Sequence, residues 1–374
     1  MDVNKLFNDH LQQQLDERKA NGLLRSLVCP DNLIDFSSNN YLGFSHLNAL
    51  QPSAFHGQEN TQAGATGSRL ISGNSKLAEE TEQVIANFHK AEAALIFNSG
   101  YDANVGLLSC IASKNDTLIT DEYVHASIID GARLSYANRF KFRHNDIGDL
   151  EKKLQSAIGN KFVIIESVYS MDGDEAPLKA IAALCRKYGA LLIVDEAHAT
   201  GVYGEKGEGL VGGHQLEKEV FARVHTFGKA LGLHGAAIVG SGILRNYLIN
   251  HARSFIYTTA LPPVAYQQIQ TAYQLLPAAN RGGLIELVKY FRQEARKLNG
   301  ITFIESSSPI QAVLVGDNEK AKALSNHLME KGFFVKAILS PTVPKGTERL
   351  RICIHLFNTK GEIDELLHVI ADRK

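Results

Sequence analysis

The sequence predicts an α/β fold: a large domain with a mainly parallel sheet sandwiched by helices, followed by a smaller C-terminal α+β domain. Three observations predict it. Short apolar runs rich in β-branched residues recur through the centre of the chain: ALIFNSG (94–100), TLIT (117–120), FVIIES (162–167), LLIVDEAH (191–198) and AAIVGS (236–241). Their hydrophobicity is continuous rather than alternating, which marks strands covered on both faces, and helical periodicity fills the intervals. After about residue 280 the texture changes, and a charged helical stretch leads into FVKAI (334–338) and RLRICIHL (349–356).

In chain order, residues 1–40 read as an N-terminal arm with a helix over about 3–20, residues 41–280 as the large domain and 281–374 as the small one. Leu77, Val84, Ile85 and Phe88 form one stripe of an amphipathic helix. A helix over 282–297 opens the small domain, and one carrying Ile363, Leu366, Leu367 and Ile370 closes it. The 39 Lys+Arg against 40 Asp+Glu give a net charge of -1, which excludes a generally basic nucleic-acid or membrane binder. No apolar run approaches the ~18–20 residues that span a bilayer. The four cysteines, Cys29, Cys110, Cys185 and Cys353, form no CxxC pair and read as free thiols of a reducing compartment. The polar start lacks the apolar core of a secretory signal, so the expected location is the cytoplasm.

The most informative stretch is LLIVDEAHATGVYG (191–204), where Asp195 ends a buried strand and His198 follows three residues later. Carboxyl ends of parallel strands are where open α/β folds bind ligands. DEAH also occurs in helicase-type ATPases, but these require an upstream GxxxxGK[ST], which the chain lacks. The GxGxxG at Gly207, Gly209 and Gly212 sits well past a strand end and reads as a flexible surface loop. The other reading pairs Asp195 with a pyridinium nitrogen and needs an amine nearby. Lys229 in TFGKALG (226–232) supplies one, in a Gly-flanked apolar setting where an ammonium is costly unless paired, deprotonated or covalently bound.

Seven ordered blocks add to this: SSNNYLG (37–43), GSRLISG (67–73), NSGYDANVG (98–106), DEYVHASIIDG (121–131), ESVYSMDGDEAPL (166–178), VDEAHATGVYG (194–204) and TFGKALGLHGAA (226–237). Over nearly its whole length the chain resembles the α-oxoamine synthase family, pyridoxal-phosphate enzymes of the aspartate-aminotransferase fold (type I). The resemblance implies that Lys229 holds the cofactor aldehyde covalently and later removes the substrate's α-proton. It implies that Asp195 keeps the pyridine nitrogen protonated, that His198 lies near the ring's phenolic oxygen and that His125 stacks on the ring. The Ser99-Gly100-Tyr101 turn, at a helix N-terminus, fits a phosphate site. Thr226 resembles a phosphate ligand, and Thr258 and Thr259 resemble residues reaching the phosphate of a neighbouring subunit, which implies a homodimer with interfacial active sites. Ser170 and Glu166 resemble further pocket residues.

A substrate carboxylate calls for an arginine fork. TVPKGTERLRI (342–352) offers Thr342, Arg349 and Arg351. Alternation puts both arginines on one strand face, and register with the family favours Arg351 while leaving Arg349 a solvated edge charge. Asn39 matches a pocket asparagine near the same group, and Arg25 resembles a basic residue met by the acyl chain's distal carboxylate. Family members join an amino acid to an acyl thioester with loss of CO₂. The strings SPIQAVLVGDN (308–318) and SPTVPKGTERLRI (340–352) most resemble the biotin-pathway member of the family, and that resemblance implies a reaction of L-alanine with a pimeloyl thioester, carried by coenzyme A or an acyl carrier protein. Serine- and glycine-using members with other acyl groups are the alternative. Neither nucleic acid nor membrane is an expected partner, and no metal is expected.

Overall fold

A computed structural model describes residues 3–55 and 62–372. Its strands are β1 (Ile34–Asp35), β2 (Ala93–Phe97), β3 (Thr117–Asp121), β4 (Asn138–Phe142), β5 (Lys161–Glu166), β6 (Ala190–Asp195), β7 (Ala222–Thr226), β8 (Ala236–Gly240), β9 (Thr302–Ile304), β10 (Ile310–Leu314), β11 (Phe333–Phe334), β12 (Lys336–Ile338) and β13 (Arg349–Cys353). The continuous apolar runs become members of one seven-stranded sheet, ordered β2-β8-β7-β6-β5-β3-β4. β3 to β7 pair in parallel, as the continuous hydrophobicity of β3, β5 and β6 predicts. β8, the run AAIVGS, is the exception and lies antiparallel to both neighbours. Only residues 227–235 join it to β7, too few for the dozen or more that a parallel crossover needs. With β8 reversed, β2 points the same way as β7, so six strands deliver their carboxyl ends to one edge of the sheet.

Two strands of this sheet escaped the sequence reading. β4 alternates charged and aromatic residues at the sheet's edge, where one face meets water. β7 is buried throughout although it carries Arg223 and His225. Arg223 donates to the His89 carbonyl at 2.8 Å, and His225 Nδ1 lies 2.8 Å from Thr200 Oγ1, so part of the polarity is met internally.

The glycines at 207, 209 and 212 do not form the expected flexible surface loop. Gly207 and Gly209 are buried at φ of +87° and +99°, a conformation costly for any residue with a Cβ. The buried Glu196 carboxylate accepts the Leu210 and Val211 N–H groups at 2.8 and 3.1 Å, which fixes the turn.

The second sheet is antiparallel, ordered β12-β13-β10-β9, and the helices Arg281–Ala295, Asn318–Glu330 and Lys360–Ala371 belong to the same part of the chain. FVKAI divides: β12 joins this sheet, while β11 pairs in parallel with β1. β13 is an inner strand, so the expectation that Arg349 is a solvated edge charge fails; the residue is only 5% exposed. Helix Lys360–Ala371 buries Ile363, Leu366, Leu367 and Ile370, and Thr359 with Glu362 forms a capping box. Thr359→Ala is expected to lower the unfolding free energy by about 1 kcal/mol, read from urea denaturation; an unchanged midpoint would contradict the cap's contribution.

The helix Val3–Ala20 buries no residue. The stretch after it is tied to the C-terminal part: Phe36 N–H donates to the Phe334 carbonyl, Cys353 N–H to Phe36 and Leu356 N–H to Tyr41. Residues 36–41 are thereby fixed beside β13. All four cysteines are free thiols, Cys185 and Cys353 buried. Among the described residues no helix is long and apolar enough to cross a membrane, and no acid, histidine and cysteine cluster could hold a metal ion.

Candidate active site

The carboxyl edge of the large sheet gathers most of the predicted residues. Asp195 ends β6 in register with Glu166 at the end of β5. Asp195 is 5% exposed; its Oδ2 accepts from Asn104 Nδ2 at 2.8 Å and its Oδ1 from the Ala197 N–H at 2.9 Å. Asn104, from the helix Gly100–Ile111, also donates to Ser127 Oγ at 3.0 Å. These anchors leave the carboxylate fixed in a buried, polar setting.

Lys229 follows β7 and is partly buried. Its Nζ lies 2.6 Å from His198 Nε2. Burial lowers its pKa to about 8, against the opposing pull of the Asp195 and Glu166 carboxylates. His198 is buried, and burial together with the Lys229 charge holds its imidazole well below the ordinary range, hence neutral. Its Nδ1 lies 2.7 Å from Tyr41 Oη, and that hydroxyl donates to Asn39 Oδ1 at 3.0 Å. Because the tyrosine proton is committed to Asn39, His198 must donate from Nδ1, which leaves Nε2 to accept from Lys229. Asn39 Oδ1 also accepts from Arg351 Nη2 at 2.9 Å. One hydrogen-bonded line thus runs from the Lys229 amine to the Arg351 guanidinium.

Arg351 is itself held on three sides: Nε donates to the Ser170 carbonyl at 2.6 Å and Nη1 to Cys353 Sγ at 3.0 Å, besides Nη2 to Asn39. Its charge bears on both Lys229 and His198. Arg349, two residues earlier, instead pairs with Asp172.

His125 caps the helix Ala126–Leu134, its Nδ1 accepting the Ser127 N–H at 3.2 Å. Its backbone N–H donates to Glu166 Oε1 at 2.5 Å. The surrounding protein, then the Lys229 charge, holds the exposed imidazole below the ordinary histidine range. Burial and the neighbouring Asp195 charge raise Glu166 to about 8, so below that pH it stays protonated and acts through its contact with His125.

Ser99 caps the helix Gly100–Ile111, its Oγ accepting the Asp102 N–H at 3.0 Å. The N–H groups of Gly100 and Tyr101 find no acceptor among the described residues and point out of a helix N-terminus. A Cβ at Gly100 would meet Thr226 Oγ1 at 3.3 Å, so glycine keeps this cradle open. Tyr101 offers only its backbone here; its hydroxyl is turned to Asp130 at 2.6 Å. Thr258 and Thr259 border the same turn: Asn98 Nδ2 donates to Thr258 Oγ1 at 2.9 Å and to the Thr259 carbonyl at 2.8 Å.

A cavity of about 410 Å³ opens beside His125 and is lined by Ser170, Thr342 and Arg349 among others. That size suits a small-molecule ligand. Arg25 lies exposed on irregular chain after the first helix, and within one copy of the chain none of these side chains is its partner. Tyr41, Asn104 and Asp172 were not singled out from the sequence. The available signal was their place in quoted blocks, Tyr41 in SSNNYLG, Asn104 in NSGYDANVG and Asp172 in ESVYSMDGDEAPL, but the partners that each of them meets are set only by the fold.

The pattern of the class I and II aminotransferases matches residues 31–370. The chain belongs to that family. Among relatives of this aminotransferase-family chain, the 8-amino-7-oxononanoate synthase of Lysinibacillus sphaericus is 38% identical over 97% of this chain and 97% of its own. The serine palmitoyltransferase of Sphingomonas wittichii superposes with a TM-score of 0.89 at 29% identity, over 99% of this chain and 98% of that one. The 8-amino-7-oxononanoate synthase of Francisella tularensis superposes with a TM-score of 0.80 at 29% identity, over 91% and 97%. The mainly parallel sheet with its smaller antiparallel partner is the aminotransferase fold of these proteins, as the sequence predicts.

Proposed function

We propose that this protein is a pyridoxal-phosphate-dependent acyltransferase that joins L-alanine to a pimeloyl thioester, giving 8-amino-7-oxononanoate, CO₂ and the free thiol in biotin synthesis. The observation that carries this reading is the line from Lys229 to Arg351, which sets an amine and a guanidinium at the two poles an α-amino acid needs, beside a cavity for an acyl chain. The donor set fits the cofactor. Lys229 is the amine for its aldehyde, Asp195 the buried acid for its ring nitrogen, His198 the imidazole for its phenolic oxygen and His125 the ring against its face. Gly100, Tyr101, Ser99 and Thr226 form the anion cradle for its phosphate, with Ser170 nearby.

The bound cofactor supplies an electron sink for a carbanion at the amino acid's α-carbon. The chain's own groups do the rest. Arg351, steadied by Asn39, holds the amino acid's carboxylate. Lys229 Nζ takes the α-proton, which its lowered pKa allows near neutral pH. His125 Nε2, left free by the Nδ1 contact to Ser127, polarises the thioester carbonyl, and Thr342 lines the acyl side. The 38% identity to a full-length 8-amino-7-oxononanoate synthase supports this substrate pair. The higher TM-score with serine palmitoyltransferase favours, as second reading, a serine-using condensation.

The protein acts as a cytoplasmic homodimer in which Thr258 and Thr259 reach the phosphate site of the partner copy. Support comes from Ile71 and Tyr257, 84% and 71% exposed, which lie beside these threonines: the Ala260 N–H donates to Gly67. The deciding experiment supplies the cofactor-loaded protein with L-alanine, glycine or L-serine, each with pimeloyl, acetyl or palmitoyl thioesters of coenzyme A or acyl carrier protein. L-alanine with a pimeloyl donor is expected to release CO₂ fastest. A serine and palmitoyl preference would install the second reading, and no turnover with any pair would sink the condensation.

A further inference from the structure

We infer that Arg349 reads a carboxylate at the far end of the acyl chain, so that the site selects acyl donors carrying a terminal carboxylate over plain fatty acyl donors. This rests on the condensation reading above and specifies its acyl half. The cavity beside His125 is walled largely by apolar side chains, Val124, Ile129, Met171 and Val343 among them. Arg349 is the one guanidinium or ammonium among the described residues that line it. A cation set into an apolar wall is costly unless an anion meets it. Asp172 meets part of it, at Nη1, and Nε donates to the Thr347 carbonyl at 2.8 Å. Nη2 has no partner among the described residues, although the side chain is only 7% exposed.

The neighbouring arginine shows the contrast. Each nitrogen of Arg351 has one acceptor, which leaves two of its five N–H groups for the amino acid's carboxylate, and its charge bears on Lys229; Arg349 stands two positions along the same strand face, roughly 6.6 Å away, with an open edge on the cavity. The two forks therefore serve two carboxylates: that of the amino acid beside Lys229, and one at the distal end of a chain whose thioester lies at His125. The planar guanidinium offers that second anion a paired contact that an ammonium would not. Glu122, the other acid on the cavity, accepts the His144 N–H and is engaged elsewhere. Arg25, to which the family resemblance points for this task, lies exposed and has no contact to this wall within one copy of the chain.

The test compares kcat/KM for pimeloyl-CoA and heptanoyl-CoA, equal in chain length and different only in the terminal carboxylate, with L-alanine as co-substrate. The wild type is expected to favour pimeloyl-CoA. In the charge-neutral double variant Arg349→Met, Asp172→Asn, that preference is expected to fall about 10- to 100-fold. Asp172→Asn alone, which frees a further edge of Arg349, is expected to keep or raise it, and this variant decides the matter if the double one does not fold. An unchanged preference in the double variant, a fall in Asp172→Asn, or a collapse confined to Arg25→Met would each overturn the assignment. A wild type that uses neither thioester sinks the condensation reading itself, whereas one that uses both equally leaves that reading standing and removes only Arg349's role.

Discussion

Lys229→Ala is expected to abolish the absorbance band of lysine-bound pyridoxal phosphate and to lower the condensation rate by at least about 10³-fold. The size follows from the two tasks this one nitrogen carries, covalent capture of the cofactor and removal of the α-proton. Lys229→Arg should fail equally, because a guanidinium stays protonated and offers no lone pair. Retention of more than a tenth of wild-type turnover in Lys229→Ala would place the base elsewhere. The pH dependence is equally specific. Only the neutral amine attacks an aldehyde, and burial lowers the Lys229 pKa from 10.5 to about 8. Covalent capture of pyridoxal phosphate by the apoprotein is therefore slow below that pH and rises through a midpoint near about 8. Asp195→Asn removes a charge that favours the ammonium, so the midpoint should move lower still; a midpoint above 10 in the wild type would show that the lysine is not desolvated.

Arg351→Met is expected to raise the KM for L-alanine by about 10²-fold, consistent with loss of a charge-assisted carboxylate pair worth ~1.5–3 kcal/mol per hydrogen bond. The three acceptors around Arg351 matter because they set its fork before substrate arrives, so little ordering is left to occur on binding. Arg351→Lys should recover only part of the loss, since a point charge cannot replace the fork. A change in kcat with KM untouched would mean that Arg351 serves the fold or the chemical step and not substrate capture.

Asp195 and His198 were legible in the sequence because an apolar run ends on Asp195, and a strand end at the carboxyl edge of a parallel sheet is fixed by local pattern; Lys229 was legible as a lysine in a glycine-flanked apolar stretch, and His125 only through the family resemblance. The partners that tune them were not. Tyr41 meets His198 across 157 residues and Asn104 meets Asp195 across 91, and no local periodicity encodes such contacts. Arg349 was misjudged because alternation shows which face a residue takes but not whether its strand lies inside a sheet; β13 is flanked on both sides. β7 was missed because its buried polar pair, Arg223 and His225, breaks the apolar run by which inner strands are recognised.

The contact between Asn39 and Arg351 spans 312 positions. During synthesis at ~5–20 residues per second, the asparagine waits roughly 15–60 s before its arginine even exists, and longer before the arginine clears the ribosome. The sheet edge with Lys229 and Asp195 is translated well before that, so a nascent chain can assemble the amine pole while the carboxylate pole is still unmade. The amino acid's full clamp is thus among the last features the chain completes, and a product truncated shortly before β13 would carry the reactive lysine without the means to hold its substrate.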